Sequence, residues 1–190
     1  MTQPYILYLH GFISSPKSIK ATQTKAFLEA RGEGERFVCP ELPYSPARAQ
    51  ALIEQTITGF KGHPFMLIGS SLGGFYSTWA AETFDARAVL VNPAVRPWTH
   101  PQLLGPQTNM YTGEQFVLTQ AHLDELLPMV PPVLTPSRYW LLVETGDETL
   151  DYRHAVEHYA GSRQTVIEGG NHSFQQWVPM LGGVIAWADS

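Results

Sequence analysis

The chain has 190 residues, of which 12 are Lys or Arg and 17 are Asp or Glu; charged residues make up 15% of it and hydrophobic ones 44%. Average usage is roughly a quarter charged, so this composition favours a buried core and excludes general disorder. The net charge is −5 and no basic run occurs, which argues against a nucleic-acid partner.

At this length one domain spanning 1–190 is the natural expectation. No apolar run approaches the roughly 20 residues that cross a bilayer. Met1-Thr2-Gln3-Pro4 lacks a basic n-region, so no secretory leader is expected. The single cysteine, Cys39, has no partner for an internal disulfide. Beside Pro40, with no base placed to activate it, Cys39 reads as a buried structural thiol. The expectation is a soluble, cytoplasmic protein.

Short apolar runs alternate with longer amphipathic stretches. Tyr5 to Leu9 is the first strand candidate. Ser18 to Arg31 follows as a helix, with Ile19, Ala26, Phe27 and Ala30 on one side and Gly32 at its end. Arg36 to Cys39 is a second strand, stopped by Pro40. Ser45-Pro46 opens a second helix, Ser45 as cap and Pro46 in the first turn. Phe65 to Ile68 is a third strand, Leu72 to Glu82 a helix and Ala88 to Val91 a fourth strand. From Arg96 to Arg138 the rhythm breaks: seven prolines and no clear strand, with one helix at Gln120 to Leu127 behind Thr119 as cap. Tyr139 to Val143 is a fifth strand, Arg153 to Tyr159 a short helix, Thr165 to Ile167 a sixth strand, and Phe174 to Trp187 a closing helix. Strand–helix alternation with continuous apolar strand runs predicts a parallel sheet covered on both faces, an α/β fold. The long irregular connection at 96–138 reads as an insertion or cap-like segment; a connection of that length in a compact domain is usually either functional or wrongly divided into elements.

Gly69-Ser70-Ser71-Leu72-Gly73 follows a strand and opens a helix. In a G-x-S-x-G elbow the sharp strand-to-helix turn projects the serine hydroxyl above the sheet. The next backbone N–H, here that of Leu72, then faces a developing oxyanion. Alone the pattern is short enough to arise by chance; the strand before and the helix after are what give it weight. Ser70 beside the nucleophile reads as a turn-stabilising hydroxyl. His10-Gly11-Phe12 ends the first strand, where the second oxyanion amide belongs, and that amide is assigned to Phe12. Gly169-Gly170-Asn171-His172 follows the last strand, the place of a general base in the chain order serine, acid, histidine. The acid should follow the fifth strand. Asp147 leads there, with Glu148 and Asp151 as rivals, although Asp151 suits the cap of the next helix.

Together these segments resemble the α/β-hydrolase family across nearly the whole chain, and most closely the small YqiA-type esterases. The matching stretches are Leu9-His10-Gly11-Phe12 with Ser14-Ser15-Pro16, Gly69 to Tyr76, Val91-Asn92-Pro93-Ala94, Glu144 to Glu148, and Glu168 to Phe174. The resemblance implies a hydrolase of esters or thioesters with Ser71 as nucleophile, Asp147 as acid and His172 as base. One departure is that the His-Gly strand comes first, without the antiparallel hairpin that usually opens the family's sheet. A reduced, six-stranded, all-parallel sheet is therefore expected.

The substrate expected is a small acyl ester or thioester, with no metal or organic cofactor required. Trp98, Leu103, Leu104, Met110, Tyr111 and Phe116 are candidates to line an acyl pocket, or simply to pack the insertion onto the body. Lys17, Lys20 and Lys25 lie near the mouth-side loop without forming a strong basic cluster. His154-Ala155-Val156-Glu157-His158 matches a zinc-peptidase pattern, but it lacks a third ligand and reads as a surface helix. Ser14-Ser15-Pro16 should cap the first helix. A non-catalytic binding module on the same fold, or acyl transfer to an acceptor other than water, are the alternatives to hydrolysis.

Overall fold

The computed structural model describes residues 3–190; Met1 and Thr2, half of the tetrapeptide behind the leader argument, lie outside the described residues. In chain order the elements begin with β1 (Tyr5–Leu9), α1 (Ile19–Ala30), β2 (Phe37–Val38), α2 (Pro46–Gly59), β3 (Phe65–Ser70), α3 (Leu72–Phe84) and β4 (Arg87–Val91). A hairpin of β5 (Gly105–Thr108) and β6 (Gln115–Leu118) follows, then α4 (Gln120–Asp124), β7 (Tyr139–Glu144), α5 (Tyr152–His158), β8 (Arg163–Ile167) and α6 (Trp177–Ala188). The main sheet has six strands in the order β2-β1-β3-β4-β7-β8, and every pairing in it is parallel. This is the reduced parallel sheet that the sequence predicts.

Why the strand runs are apolar without alternation follows from the layers. Leu7, Leu9, Leu67 and Leu141 face Ile53 of α2 and Trp79 of α3. Their neighbours Ile6, Tyr8, Met66 and Ile68 face the other way, onto Leu28 of α1 and Leu181 and Val184 of α6. Both faces are dry, so each such side chain contributes about 1.5–3 kcal/mol of burial. Ser45 caps α2 as expected: its hydroxyl accepts from the Arg48 amide at 3.4 Å and donates to Glu125 at 3.0 Å.

Four local expectations are corrected. The 96–138 segment does contain strands, the antiparallel β5–β6 hairpin. Gly105-Pro106-Gln107-Thr108 carries no apolar pattern, and its pairing is set by the turn instead. There Asn109 donates its backbone N–H to Glu114 and receives the Tyr111 amide on its side chain, both at 2.9 Å. The helix after Thr119 ends at Asp124 and gives way to a single 3-10 turn at Leu127–Met129, where Pro128 cannot continue it. The last helix begins at Trp177, not Phe174, because Phe174 sits at φ +56°, outside helical space. Ser14-Ser15-Pro16 does not cap α1 directly; Ser15 accepts from Lys17 ahead of Ser18, the cap residue, whose own side chain makes no cap bond.

Candidate active site

The candidate residues Phe12, Ser71, Asp147 and His172 follow the C-terminal ends of β1, β3, β7 and β8, which lie along one side of the parallel sheet. Leu9 of β1 pairs with Gly69 of β3, so the turns after these strands touch. Between them the chain makes the elbow. Ser71 is held at φ 55°, ψ −121°, a conformation that costs a non-glycine residue of order 1–3 kcal/mol. Three backbone bonds over-determine it: its N–H donates to Val91 O (3.1 Å), and its carbonyl accepts from Gly74 (2.9 Å) and Ala94 (3.0 Å). The glycines of the turn are required by close approach: a Cβ on Gly73 would lie 1.9 Å from the Leu9 carbonyl oxygen, and one on Gly69 2.3 Å from the Gly73 carbonyl oxygen.

β8 lies beside β7, and their turns are stitched by Thr145 N–H to Ile167 O (2.9 Å) and Gly146 N–H to Gly169 O (2.7 Å). This brings His172 onto Asp147. Nδ1–H of His172 donates to Asp147 Oδ2 at 2.8 Å, and Nε2 stands 3.1 Å from Ser71 Oγ. The Asp147 side chain is only 2% exposed and its Oδ1 also accepts the amides of Thr149 (2.8 Å) and Leu150 (2.9 Å). The two rival carboxylates are elsewhere. Asp151 caps α5 through the Arg153 amide at 3.0 Å. Glu148 accepts the backbone N–H of His172 at 3.0 Å and does not touch the ring.

Leu72 is the first residue of α3, where an amide has no intrahelical acceptor. Across from it, Gly11 packs on Ser71, a Cβ built there coming within 3.6 Å of Ser71 Oγ, and Phe12 follows. Buried His10 fixes this loop: Nε2 accepts from the Leu42 amide, so Nδ1–H donates to Gly11 O, each at 3.0 Å. Burial holds the His10 pKa below the ordinary imidazole value. Asn109, at the hairpin turn, donates to Ser14 O at 2.9 Å and ties the insertion to the same loop.

Two clefts meet at Ser71 and His172. One, about 310 Å³, is walled by Leu72, Leu103, Leu118, Leu123 and Leu126 and runs under the insertion. The other, about 530 Å³ and the more polar of the two, carries Ser14, Ser18, Lys20, Gln23 and Tyr111 beside Ile13, Ile19 and Phe174. Of the lining candidates named from sequence, Leu103 faces the apolar cleft and Tyr111 the polar one. Trp98 instead packs edge-on against Phe75, and Phe116 stacks on Tyr44 at 4.2 Å between centroids. Leu104 and Met110 are exposed and line neither cleft. The leucines of β6 and α4 that wall the apolar cleft have no sequence signal beyond helical and strand spacing, since such spacing marks a packed face and not what it faces.

Lys20 enters the site from α1, its ammonium donating to Ser173 O at 2.7 Å. Burial holds its pKa down at about 8, against the opposing pull of Glu144 and Asp147. Lys17 is exposed, and Lys25 pairs with Glu29 within α1 at 3.6 Å. His154, Glu157 and His158 border a separate open pocket beyond Thr149 and Leu150, and among the described residues no three His, Cys, Asp or Glu side chains gather as a metal set. Half-buried Cys39 has its thiol pushed up to about 12 by burial, which keeps it protonated and unreactive. Among the described residues no helix is long and apolar enough to cross a membrane.

The fold is that of known α/β hydrolases. Mouse alpha/beta hydrolase domain-containing protein 10 superposes with a TM-score of 0.74 at 18% identity, over 98% of this chain and 90% of that one. Est1E from Butyrivibrio proteoclasticus matches at 0.68 and 13% identity, over 99% and 86%. The esterase domain of a Rhodothermus marinus protein matches at 0.68 and 18%, over 99% and 88%. A family model described as "Uncharacterised protein family (UPF0227)" matches residues 5–189, and the chain belongs to that family.

Proposed function

We propose that this protein is a serine hydrolase of carboxylic esters or thioesters, with Ser71 as nucleophile, His172 as general base and Asp147 as its orienting acid. The observation that carries the reading is the unbroken hydrogen-bond chain Ser71 Oγ–His172–Asp147 at the mouth of an apolar cleft. His172 Nε2 takes the Ser71 proton as Oγ attacks the acyl carbon. The negative charge that develops on the carbonyl oxygen is received by the N–H groups of Phe12 and Leu72, the latter at the positive end of α3. His172 then protonates the leaving alcohol or thiol, and the acyl group remains on Ser71. Water, deprotonated by the same imidazole, releases the acid. Asp147 stabilises the imidazolium in both halves and holds Nδ1 protonated, so that Nε2 is the basic nitrogen.

The apolar cleft takes the acyl chain and the polar cleft the alcohol or thiol side. The test is labelling with a fluorophosphonate beside a chain-length series of p-nitrophenyl esters and matching acyl-CoAs. Covalent labelling of the wild type at Ser71, with turnover lost by up to about 10⁶ in Ser71→Ala, is the expected result. A Ser71→Ala enzyme that keeps more than a tenth of the rate would overturn the assignment. A wild type that neither labels nor turns over would favour a binding module.

A further inference from the structure

Glu144 is the last residue of β7 and is fully buried, at 0% exposure. A carboxylate there is costly unless its lone pairs are used. They are: Oε2 accepts the amides of Asn171 (2.8 Å) and Gln175 (3.1 Å), and Oε1 that of Gln176 (3.1 Å). Gln176 is the cap residue of α6 and supplies no side-chain cap of its own, so Glu144 serves as the anionic cap of that helix. The chain packs so closely that a Cβ on Gly170, at φ +69°, would lie 1.9 Å from Glu144 Oε2. His172 lies inside the segment held this way.

Asn92 holds the same segment by its other polarity. Its Nδ2 donates to Asn171 O (3.1 Å) and His172 O (3.2 Å), and its Oδ1 receives the Glu144 backbone N–H at 3.1 Å. It is 2% exposed and sits at φ +41° just past β4. One buried side chain therefore grips the amides of the His172 loop while the other grips its carbonyls. The two are bonded to each other, and Glu144 is three residues ahead of Asp147 on the same strand end. Neither touches the imidazole ring.

Resting on the hydrolase reading above, we propose that Glu144 and Asn92 are positioning residues for His172, fixing its ring between Ser71 and Asp147 from behind. The charge-assisted amide bonds of Glu144 set the depth of the loop, and Asn92 sets its twist relative to β4. Glu144→Gln leaves the shape and replaces one acceptor with an NH₂ group facing a backbone donor. Asn92→Gly removes only the side chain, at a backbone angle glycine adopts without strain.

The test compares wild type, Glu144→Gln, Asn92→Gly and Ser71→Ala on p-nitrophenyl butyrate, with kcat expressed per cooperatively folded molecule. The expected result is a kcat lowered by about 10- to 100-fold in the first two variants with KM within about threefold, the cost of a small misplacement of a catalytic group. The downfield imidazole N–H proton resonance of His172 should broaden or vanish in both, although His172 and Asp147 are intact. A merely structural role would lower the melting temperature and leave both readouts unmoved. If Glu144→Gln does not fold, Asn92→Gly carries the same measurement alone. Wild-type kcat with the resonance retained overturns the inference while the hydrolase reading stands. Full activity in Ser71→Ala overturns the hydrolase reading and this inference with it.

Discussion

His172 donates Nδ1–H to Asp147 at 2.8 Å, and the carboxylate that receives it is itself pinned by the amides of Thr149 and Leu150. The Asp147 carboxylate is thus buried and held from two sides; as the proposed acid it needs no reorganisation when the imidazole gains charge. Asp151, four residues on, spends its carboxylate on Arg153 and the start of α5.

Asp147→Asn should lower kcat on p-nitrophenyl butyrate by about 10³ to 10⁴, because an amide can stabilise the wrong imidazole tautomer. Asp151→Asn should be nearly silent, since asparagine caps a helix as well as aspartate does. Glu148→Gln should fall between them, because a side-chain oxygen can still accept the His172 amide. Single-mutant kinetics rank the three; an inactive Asp151→Asn beside an active Asp147→Asn would reverse the assignment of the acid.

The elbow strain gives a second expectation that separates stability from activity. Ser71 holds φ +55° against the preference of any side chain with a Cβ. Ser71→Gly should therefore raise the unfolding free energy by about 1 kcal/mol while abolishing turnover. Urea melts of Ser71→Gly and Ser71→Ala, run side by side, isolate the backbone contribution. A glycine variant no more stable than the alanine one would mean the turn is unstrained.

Much of this candidate site is legible in the sequence because its residues are tied to strand ends. Ser71, Asp147 and His172 each follow a recognisable apolar run, and parallel strands put such ends on one edge. What stayed hidden was whatever depends on contacts between distant turns. Glu144 reads as the polar end of Tyr139-Trp140-Leu141-Leu142-Val143, and nothing local says that its carboxylate reaches residues 171–176. The β5–β6 hairpin leaves no signal in the sequence for a related reason. Its first strand, with Pro106 and no apolar alternation, is specified by the Asn109 turn and by pairing with Gln115 to Leu118. The sequence leaves Trp98 open between walling a pocket and packing the insertion; its ring lies edge-on to Phe75.

Acid should destabilise the fold through His10. Its folded pKa is depressed by burial, so the unfolded chain binds the proton more readily. The contribution is fully present above the unfolded value of about 6.5 and is lost as pH falls from there through the folded pKa. Protonation would place a second N–H against the Leu42 amide. Urea midpoints measured between pH 8 and pH 5 should fall for the wild type, and His10→Gln should flatten that slope. Equal slopes in the two proteins would remove His10 as the cause.

The direction in which the acyl chain lies gives the last expectation. The apolar cleft of about 310 Å³ runs from Ser71 towards Leu118 on β6 and Leu123 and Leu126 around α4. Each methylene that enters it is worth about 0.8 kcal/mol, close to fourfold in kcat/KM, until the space is filled. A p-nitrophenyl ester series should therefore climb with chain length and then level off. Leu123→Trp fills the far end and should bring the plateau to a shorter chain, with little change for the acetyl ester. Leu126→Ala opens the same wall and should move the plateau to a longer one, at about 2–5 kcal/mol of stability because Leu126 is buried. The other cleft offers Lys20 and Gln23 beside Ile13, Ile19 and Phe174, and a chain lying there would not respond to changes at Leu123 or Leu126. A plateau at the same chain length in all three proteins would mean that the acyl chain lies on the Lys20 side, and that the alcohol occupies the leucine-walled cleft.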